Sequence, residues 1–255
     1  MAAARRWQAA VLFTLSGGIA GCGGPVQDGF RPAFAPPRHG VFQDPTPIVA
    51  STEDDLLPTV APRQGLIAYA SRAEGNLDIV VRPLAGGPTQ RLTTHSTDDS
   101  DPAFSPDGTR LAWISQADDV KGDVWVMNAD GSNKRRLTGA EAADSGPTWG
   151  PDNRTIFFTS RPAGSPTRRV ERVDATDGAR GVVLDPGWDA SVSPDGEVVF
   201  YVRTDENQQP RVFARRLRDG AEVPLTHGAS VEGMPHAAAT AEGTVVVFSR
   251  YVDDH

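Results

Sequence analysis

The sequence predicts an all-β protein built from repeated sets of four short antiparallel strands, and two observations lead to this prediction. The 255-residue chain repeats at intervals of 43, 45, 43 and 47 residues, counted between the turn residues Gly65, Gly108, Asn153, Gly196 and Gly243. Within the repeats, pairs such as Asp107-Gly108 and Asp130-Gly131 separate apolar runs. Asp-Gly is a strong hairpin signal there, because glycine accepts the positive φ of the turn. Four antiparallel strands about every 44 residues is the period of a β-propeller blade.

The second repeat shows the pattern most completely. Its β-prone runs are Ala103–Ser105, Arg110–Ser115, Val124–Asn128 and Lys134–Thr138. The sequence DSDPAFSPDGTRLAWIS…GDVWVMNADGSNKRRLT resembles the WD-type β-propeller repeat of the TolB family. The resemblance covers about residues 54–250. It implies the propeller fold and a periplasmic protein that works in contacts between other proteins.

We expect five blades over residues 41–255. Five inner hairpins are present in the sequence, but the fifth repeat stops at His255, just after its second strand. Near the start of the domain, residues 41–50 hold two short apolar runs, Val41–Phe42 and Ile48–Ala50. The prediction is that these N-terminal strands complete the last blade and close the ring, which leaves only short protected strand edges. The alternatives are an incomplete ring that needs a partner, or a truncated reading frame.

The first 21 residues are typical of a bacterial lipoprotein signal peptide. A basic start is followed by an apolar run from Ala9 to Ala20 that contains no acid and is too short to span a bilayer stably. The run ends in Ile-Ala-Gly-Cys22, which resembles a lipobox and implies lipid attachment at Cys22. The alternative is an ordinary secretory signal with an incidental cysteine. Residues 22–40, rich in Gly and Pro, are then a lipidated tether.

Charge and cysteine content exclude several classes of protein. The formal net charge is −8, and −10 once residues 1–21 are removed, which argues against a nucleic-acid partner. A single cysteine excludes a disulfide framework and a four-cysteine zinc site. Gly23 after the cysteine is not the aspartate associated with inner-membrane retention, so we favour the periplasmic face of the outer membrane. We expect a monomer whose partner is an envelope protein or peptide.

An acid stands at nearly the same place before each predicted inner strand. Asp55, Asp99, Asp144 and Glu232 each precede a proline by three residues, and Asp189 is the acid nearest this place in the fourth repeat. Loops that enter the innermost strands should surround one end of the central channel. The predicted partner-binding face consists of Asp55, Asp99, Asp101, Asp144, Asp189, Glu232 and Trp188.

Two catalytic or metal-binding interpretations compete with this one. Converging carboxylates could bind a divalent cation, or serve as the acid and base of a glycan hydrolase or lyase. However, Arg72, Arg161, Arg203 and Arg250 end the second strand in four of the five repeats, which favours structural ion pairs with the repeated acids. No histidine pair has zinc-ligand spacing, and no Gly-x-Ser-x-Gly elbow is present. We therefore predict a non-catalytic protein-binding scaffold without catalytic residues, metal or cofactor, with the glycan hydrolase or lyase as the alternative.

Overall fold

A computed structural model describes residues 7–8, 13–15, 54–139, 142–226, 231–240 and 243–251. These residues form five four-stranded antiparallel sheets joined by turns. The predicted all-β class, with sheets of four antiparallel strands, is thereby confirmed. No helix long and apolar enough to cross a bilayer occurs in the described part of the chain. Cys22 and residues 41–50, which carry two of the sequence predictions, lie outside it.

The strands follow the repeats in chain order. The first two, β1 (Trp7–Gln8) and β2 (Phe13–Leu15), belong to the last sheet. Sheet 1 consists of β3 (Asp55–Ala61), β4 (Leu66–Ser71), β5 (Asp78–Pro83) and β6 (Gln90–Arg91). Sheet 2 consists of β7 (Asp99–Phe104), β8 (Arg110–Ser115), β9 (Asp123–Asn128) and β10 (Arg135–Arg136). Sheet 3 consists of β11 (Ala142–Trp149), β12 (Thr155–Pro162), β13 (Arg169–Asp174) and β14 (Arg180–Leu184).

The remaining strands complete two further sheets. Sheet 4 consists of β15 (Trp188–Val192), β16 (Val198–Thr204), β17 (Pro210–Arg216) and β18 (Glu222–Pro224). Sheet 5 contains β19 (Val231–Thr240) and β20 (Gly243–Tyr251), with β1 and β2 paired to β20. The chain divides into two compact units: Val41–Trp188, which holds sheets 1 to 3, and a second unit of residues 1–40 and 189–255.

Central strands are buried on both faces, because sheets pack against each other in layers. In β8, Leu111 and Trp113 belong to the apolar cluster shared with sheet 1. Ala112 and Ile114 belong to the cluster shared with sheet 3. This explains why the run LAWI shows no polar alternation. Burying Leu111 or Ile114 contributes about 1.5–3 kcal/mol each.

The upper end of a sheet, as we use the term, is the end at which its first strand begins and its second strand ends; the opposite end is its lower end. Near the upper end, every first strand contains one residue with positive φ. These residues are Leu57, Asp101, Gly146, Asp189 and Met234, with φ between 51° and 56°. In four sheets the strand pairing shifts at this residue, as in a β-bulge. A bulge bends a strand and redirects its side chains. The first strands therefore share one backbone feature near their upper ends, a residue with positive φ.

The outer edge of β20 is paired in this structure. Phe13 lies opposite Val246 and Trp7 opposite Tyr251. Both β1 and β2 come from the segment that the sequence predicts to be a signal peptide. The five-bladed closure by residues 41–50 concerns residues outside the described part of the chain and stays a prediction.

Candidate functional site

A buried polar cluster lies at the upper end of sheet 1, where the third and fourth strands meet. Asp78 is 2% exposed, forms an ion pair with Arg91 and accepts a hydrogen bond of 3.2 Å from the Thr93 hydroxyl. The Thr93 hydroxyl in turn accepts a hydrogen bond of 2.9 Å from the Ile79 N–H. Burial raises the pKa of Asp78, although Arg91 and Thr93 act in the opposite direction. The cluster fixes the short outermost strand to its neighbour.

Sheet 2 repeats this cluster residue by residue. Asp123 is fully buried, lies 2.6 Å from a guanidinium nitrogen of Arg136 and accepts a hydrogen bond of 3.4 Å from the Thr138 hydroxyl. The Val124 N–H donates to Thr138 over 2.8 Å. Burial again raises the pKa of the aspartate. Each member lies 45 residues after its counterpart in sheet 1, so the cluster recurs because the repeat recurs.

The first-strand acids of sheets 2 and 3 face these clusters from the neighbouring sheet. Asp99 is 2% exposed, and the Trp113 indole N–H donates a hydrogen bond of 3.2 Å to its carboxylate. Asp144 is 3% exposed, and Phe158 occupies the place that Trp113 has in sheet 2. The Phe158 ring offers no hydrogen-bond donor. A guanidinium nitrogen of Arg180 lies 3.8 Å from a carboxylate oxygen of Asp144 and supplies the positive charge beside it. Neither oxygen of Asp144 accepts a well-aligned hydrogen bond within the described residues.

Burial raises the pKa of Asp144. The hydroxyls of Thr138 and Ser160 and the charge of Arg180 lower it, and the nearby Glu171 carboxylate raises it further. Asp144 is therefore a buried carboxylate whose charged form is only partly compensated.

In sheet 3 a buried glutamate holds two arginines together, and we call Arg169, Glu171 and Arg180 the arginine cluster. Glu171 is 2% exposed; Arg169 donates to it over 2.6 Å and Arg180 donates to its second carboxylate oxygen. Burial alone would raise the pKa of Glu171, but Arg180 and Arg169 outweigh it and hold the pKa below its ordinary value. The guanidinium of Arg180 also lies 5.2 Å from the centre of the Phe158 ring.

The arginine cluster lines a cavity of about 750 Å³. The other walls are Ala142, Pro162, Ala163, Gly181 and Val182, all at the upper end of sheet 3 or on β14. Arg169 and Arg180 are about one-third exposed, at 31% and 30% of their side chains. The cavity thus presents guanidinium groups beside small apolar walls.

The structure corrects the sequence prediction at two of the proposed contact residues. Asp99 and Asp144 were expected on a partner-binding surface, but both carboxylates are buried between neighbouring sheets. The physical reason is that their positions in β7 and β11 face the adjacent sheet, where Trp113 and Arg180 are their partners. Neither carboxylate is available to a partner in this arrangement.

The other predicted contact residues lie near the upper ends of their own sheets. Asp101 is partly buried, accepts a hydrogen bond of 3.0 Å from the Ser100 hydroxyl and has its pKa raised by burial. Asp55 and Asp189 are partly buried at the start of β3 and in β15. Glu232 lies opposite Arg250 in the register of β19 and β20. Trp188 is partly buried, and the Arg168 guanidinium lies 5.6 Å from its ring centre.

Sequence reasoning missed the residues that form the buried clusters. Asp123 precedes the predicted strand Val124–Asn128, and Asp78 and Glu171 with its two arginines carry no prediction of their own. A signal was available in the first two repeats, where Asp, Arg and Thr recur at the same spacing. No such signal exists in sheet 3, because Arg169 stands where sheets 1 and 2 have aspartate.

The buried carboxylates of Asp78, Asp123 and Asp144 lie beside arginine side chains and do not face an open pocket. Asp78 and Asp123 are ion-paired, and Asp144 lies beside Arg180. A general acid and base need carboxylates that face a substrate. No group of three His, Cys, Asp or Glu side chains in the described part of the chain could hold a metal ion. The groups that a ligand could contact at the upper ends of the described sheets are therefore guanidinium, carboxylate and indole groups.

Comparison with known proteins places this fold in context. An uncharacterised protein from Agrobacterium fabrum is 32% identical over 177 residues, which are 64% of this chain and 58% of that protein. The chain thus spans little more than half the length of this relative. The crystal structure of TolB from Acinetobacter baumannii has a TM-score of 0.62 at 17% identity, covering 79% of this chain and 56% of that one.

The same fold also occurs in an enzyme. Oligogalacturonate lyase from Vibrio parahaemolyticus has a TM-score of 0.60 at 13% identity, covering 81% of this chain and 68% of that one. At such identities the likeness concerns the fold alone. The family model for the TolB beta propeller domain matches residues 42–255. The chain therefore belongs to the family of TolB β-propeller domains.

Proposed function

We propose that this chain is a lipid-anchored scaffold of the bacterial envelope that binds a protein or peptide at the upper ends of its sheets and catalyses no reaction. Membership in the TolB β-propeller family supports the envelope and protein-binding parts of this proposal. The lipobox-like ending at Cys22 supports the anchor, on the periplasmic face of the outer membrane.

The observation that carries the binding surface is the contrast between buried and accessible groups at the upper ends. The repeated carboxylates of Asp78, Asp99 and Asp123 are buried and partnered within the sheets, so they are not available to a binding partner. Asp101 and Trp188 are partly exposed on first strands and are supported by rigid sheets. Side chains held on a rigid framework are typical of binding surfaces, and Trp with Arg is enriched at binding hot spots.

A glycan hydrolase or lyase is the competing function. The fold of the lyase from Vibrio parahaemolyticus is similar, but the acids that the sequence predicts at this end are buried or lie beside arginine. An acid–base pair open to a sugar is the observation that would favour catalysis.

Capture from the native envelope tests the proposed function. The full-length protein, expressed in its own cells and solubilised in mild detergent, should retain one or a few envelope proteins. Trp188→Ala with Asp101→Asn should reduce that capture, whereas Glu197→Gln at the lower end of sheet 4 should not. Capture by the wild type that is equally strong with all variants would contradict the proposed surface.

The anchor has its own test. Cys22→Ala should abolish labelling with a fatty-acid analogue and release the protein from the membrane fraction. Unchanged labelling of that variant would contradict the assignment of the lipid to Cys22.

A further inference from the structure

The charge at the upper end of sheet 3 differs from the charge at the upper end of sheet 2. The loop between β8 and β9 carries Asp118 and Asp119, and Asp118 is 51% exposed. The corresponding loop between β12 and β13 has no acid and ends in Arg168, and Arg169 begins β13. On a protein with a net charge of −8, the upper end of sheet 3 is therefore locally basic.

The accessible charges there are mainly guanidinium groups. Arg161 and Arg168 are exposed and have no ion pair within the described residues. Among the described residues, the acids near this end are Glu171, which is buried between Arg169 and Arg180, Asp144, which is buried 3.8 Å from Arg180, and the exposed Asp185. Glu171 accepts hydrogen bonds from the Nε–H of both arginines and also lies 2.6 Å from Nη2 of Arg169. Nη2 of Arg180 donates to the Ser160 hydroxyl over 3.3 Å, so the Nη1 groups of the two arginines are the ones left for a further acceptor.

The cavity beside the arginine cluster has the size and lining of a side-chain pocket. Its volume of about 750 Å³ falls within the range of pockets that hold small ligands. Its apolar walls are Ala142, Pro162, Ala163 and Val182, and no aromatic ring is among its lining residues. Walls of this kind suit aliphatic side chains better than sugar rings, which bind commonly on aromatic faces.

We propose that the upper end of sheet 3 binds an acidic peptide segment, with a carboxylate of the ligand on Arg169 and Arg180 and a neighbouring aliphatic side chain in the cavity. Arg168, stacked on Trp188, receives a second acidic side chain. Glu171 is a positioning residue: it fixes both guanidinium groups before the ligand arrives, which lowers the ordering cost of binding. This inference rests on the proposed function, because it names the chemistry of the segment that the scaffold recognises.

Binding of a defined peptide tests the proposal. The probe is an acetylated peptide with two glutamates separated by alanine, compared with the same peptide carrying glutamine at both positions. With the full chain in detergent, the acidic peptide should bind at least about tenfold more tightly, as expected for charge-assisted hydrogen bonds. Its affinity should fall as the salt concentration rises. Equal affinity for both peptides, or binding of neither, would overturn the proposal.

Variants locate the site. Arg168→Gln and Arg169→Gln should each weaken binding of the acidic peptide, and together by about tenfold or more. Arg168 has no ion pair to lose in the described structure, so its variant should fold normally even if Arg169→Gln does not. The matched control is Arg154→Gln at the lower end of sheet 3, where Arg154 is 55% exposed. An equal loss in the control variant would overturn the location.

Two further outcomes separate this inference from the proposed function. If the envelope partner is captured normally by Arg168→Gln/Arg169→Gln, the inference fails while the scaffold function stands. If the acidic peptide binds as expected but the wild type captures no envelope protein, the proposed function fails and the site stands. Binding of a uronic-acid oligosaccharide in place of the peptide would overturn the proposed class of ligand.

Discussion

The indole Nε1 of Trp113 lies 3.2 Å from a carboxylate oxygen of Asp99 and donates a hydrogen bond to it inside the interface between sheets 1 and 2. This bond supplies a donor to a carboxylate that is 2% exposed. In sheet 3 the equivalent residues are Phe158 and Asp144, and no indole donor exists. The buried acid is therefore kept from sheet 2 to sheet 3, but its neighbour changes from an indole donor to the guanidinium of Arg180.

Trp113→Phe should lower the free energy of unfolding by about 1–3 kcal/mol, because it leaves a buried carboxylate oxygen without its donor. Urea denaturation at pH 7 measures this change. Trp125→Phe is the matched control: the indole Nε1 of Trp125 is buried but has no hydrogen-bond partner within the described residues. The control should therefore be clearly less destabilised. Equal destabilisation of the two variants would mean that ring packing, and not the bond to Asp99, accounts for the loss.

Asp144→Asn should change how stability depends on pH. Burial raises the folded-state pKa of Asp144 above its ordinary value of 3.8. The folded state then binds the proton of Asp144 more tightly than the unfolded state does. The contribution of Asp144 to folding stability is therefore complete below pH 3.8 and is lost as pH rises through its folded-state pKa. Relative to wild type, the asparagine variant should be more stable at pH 7 than at pH 4. Unfolding free energies measured at both values give the comparison.

Asp152→Asn is a control for which we expect the opposite pH dependence of folding stability. Burial alone would raise the pKa of Asp152, but the backbone N–H groups of Thr155 and Arg154 outweigh it and lower the pKa. The contribution of the Asp152 carboxylate to folding stability is therefore present above pH 3.8 and is lost as pH falls through its folded-state pKa. This variant should therefore lose more stability relative to wild type at pH 7 than at pH 4. Parallel pH profiles for Asp144→Asn and Asp152→Asn would contradict both assignments.

Deleting residues 41–50 should lower the melting temperature of the chain that begins at residue 22. Once residues 1–21 are removed, β1 and β2 are no longer available to β20, whose edge must then pair with another strand. If residues 41–50 supply that strand, their loss should cost a few kcal/mol, about 5–10 °C in a domain of this size. Deleting residues 25–34 of the tether is the control. An unchanged melting temperature in the first variant would mean that the edge is completed in another way.

The sequence predicts the repeat and its strands well, since turn residues and apolar runs act locally. Asp107-Gly108 and Asp130-Gly131 lie in turns, as their chemistry requires, with Gly108 at φ 70° and Gly131 at φ 86°. Trp113 and Trp149 lie in the apolar clusters, as expected for strands between packed sheets. These features depend on a few neighbouring residues and need no knowledge of the tertiary structure.

The burial of individual acids could not be predicted in the same way. Whether Asp99 faces solvent or the next sheet depends on a bulge at Asp101, where φ is 52°. The partners of Asp144 are Thr138, between β10 and β11, Ser160 on β12, and Arg180 on β14, 36 residues later. Such contacts arise from the packing of sheets, so a linear pattern of acids before prolines does not reveal them.

Site-specific photocrosslinking in living cells tests directly whether a partner binds at the upper ends of the sheets. A photoreactive amino acid would replace Asp101 or Trp188 at the upper ends, and Asp130 or Glu197 at the lower ends. We expect one envelope protein to be crosslinked from positions 101 and 188 and not from positions 130 or 197. Crosslinks from the lower-end positions alone, or from none of the four, would contradict it.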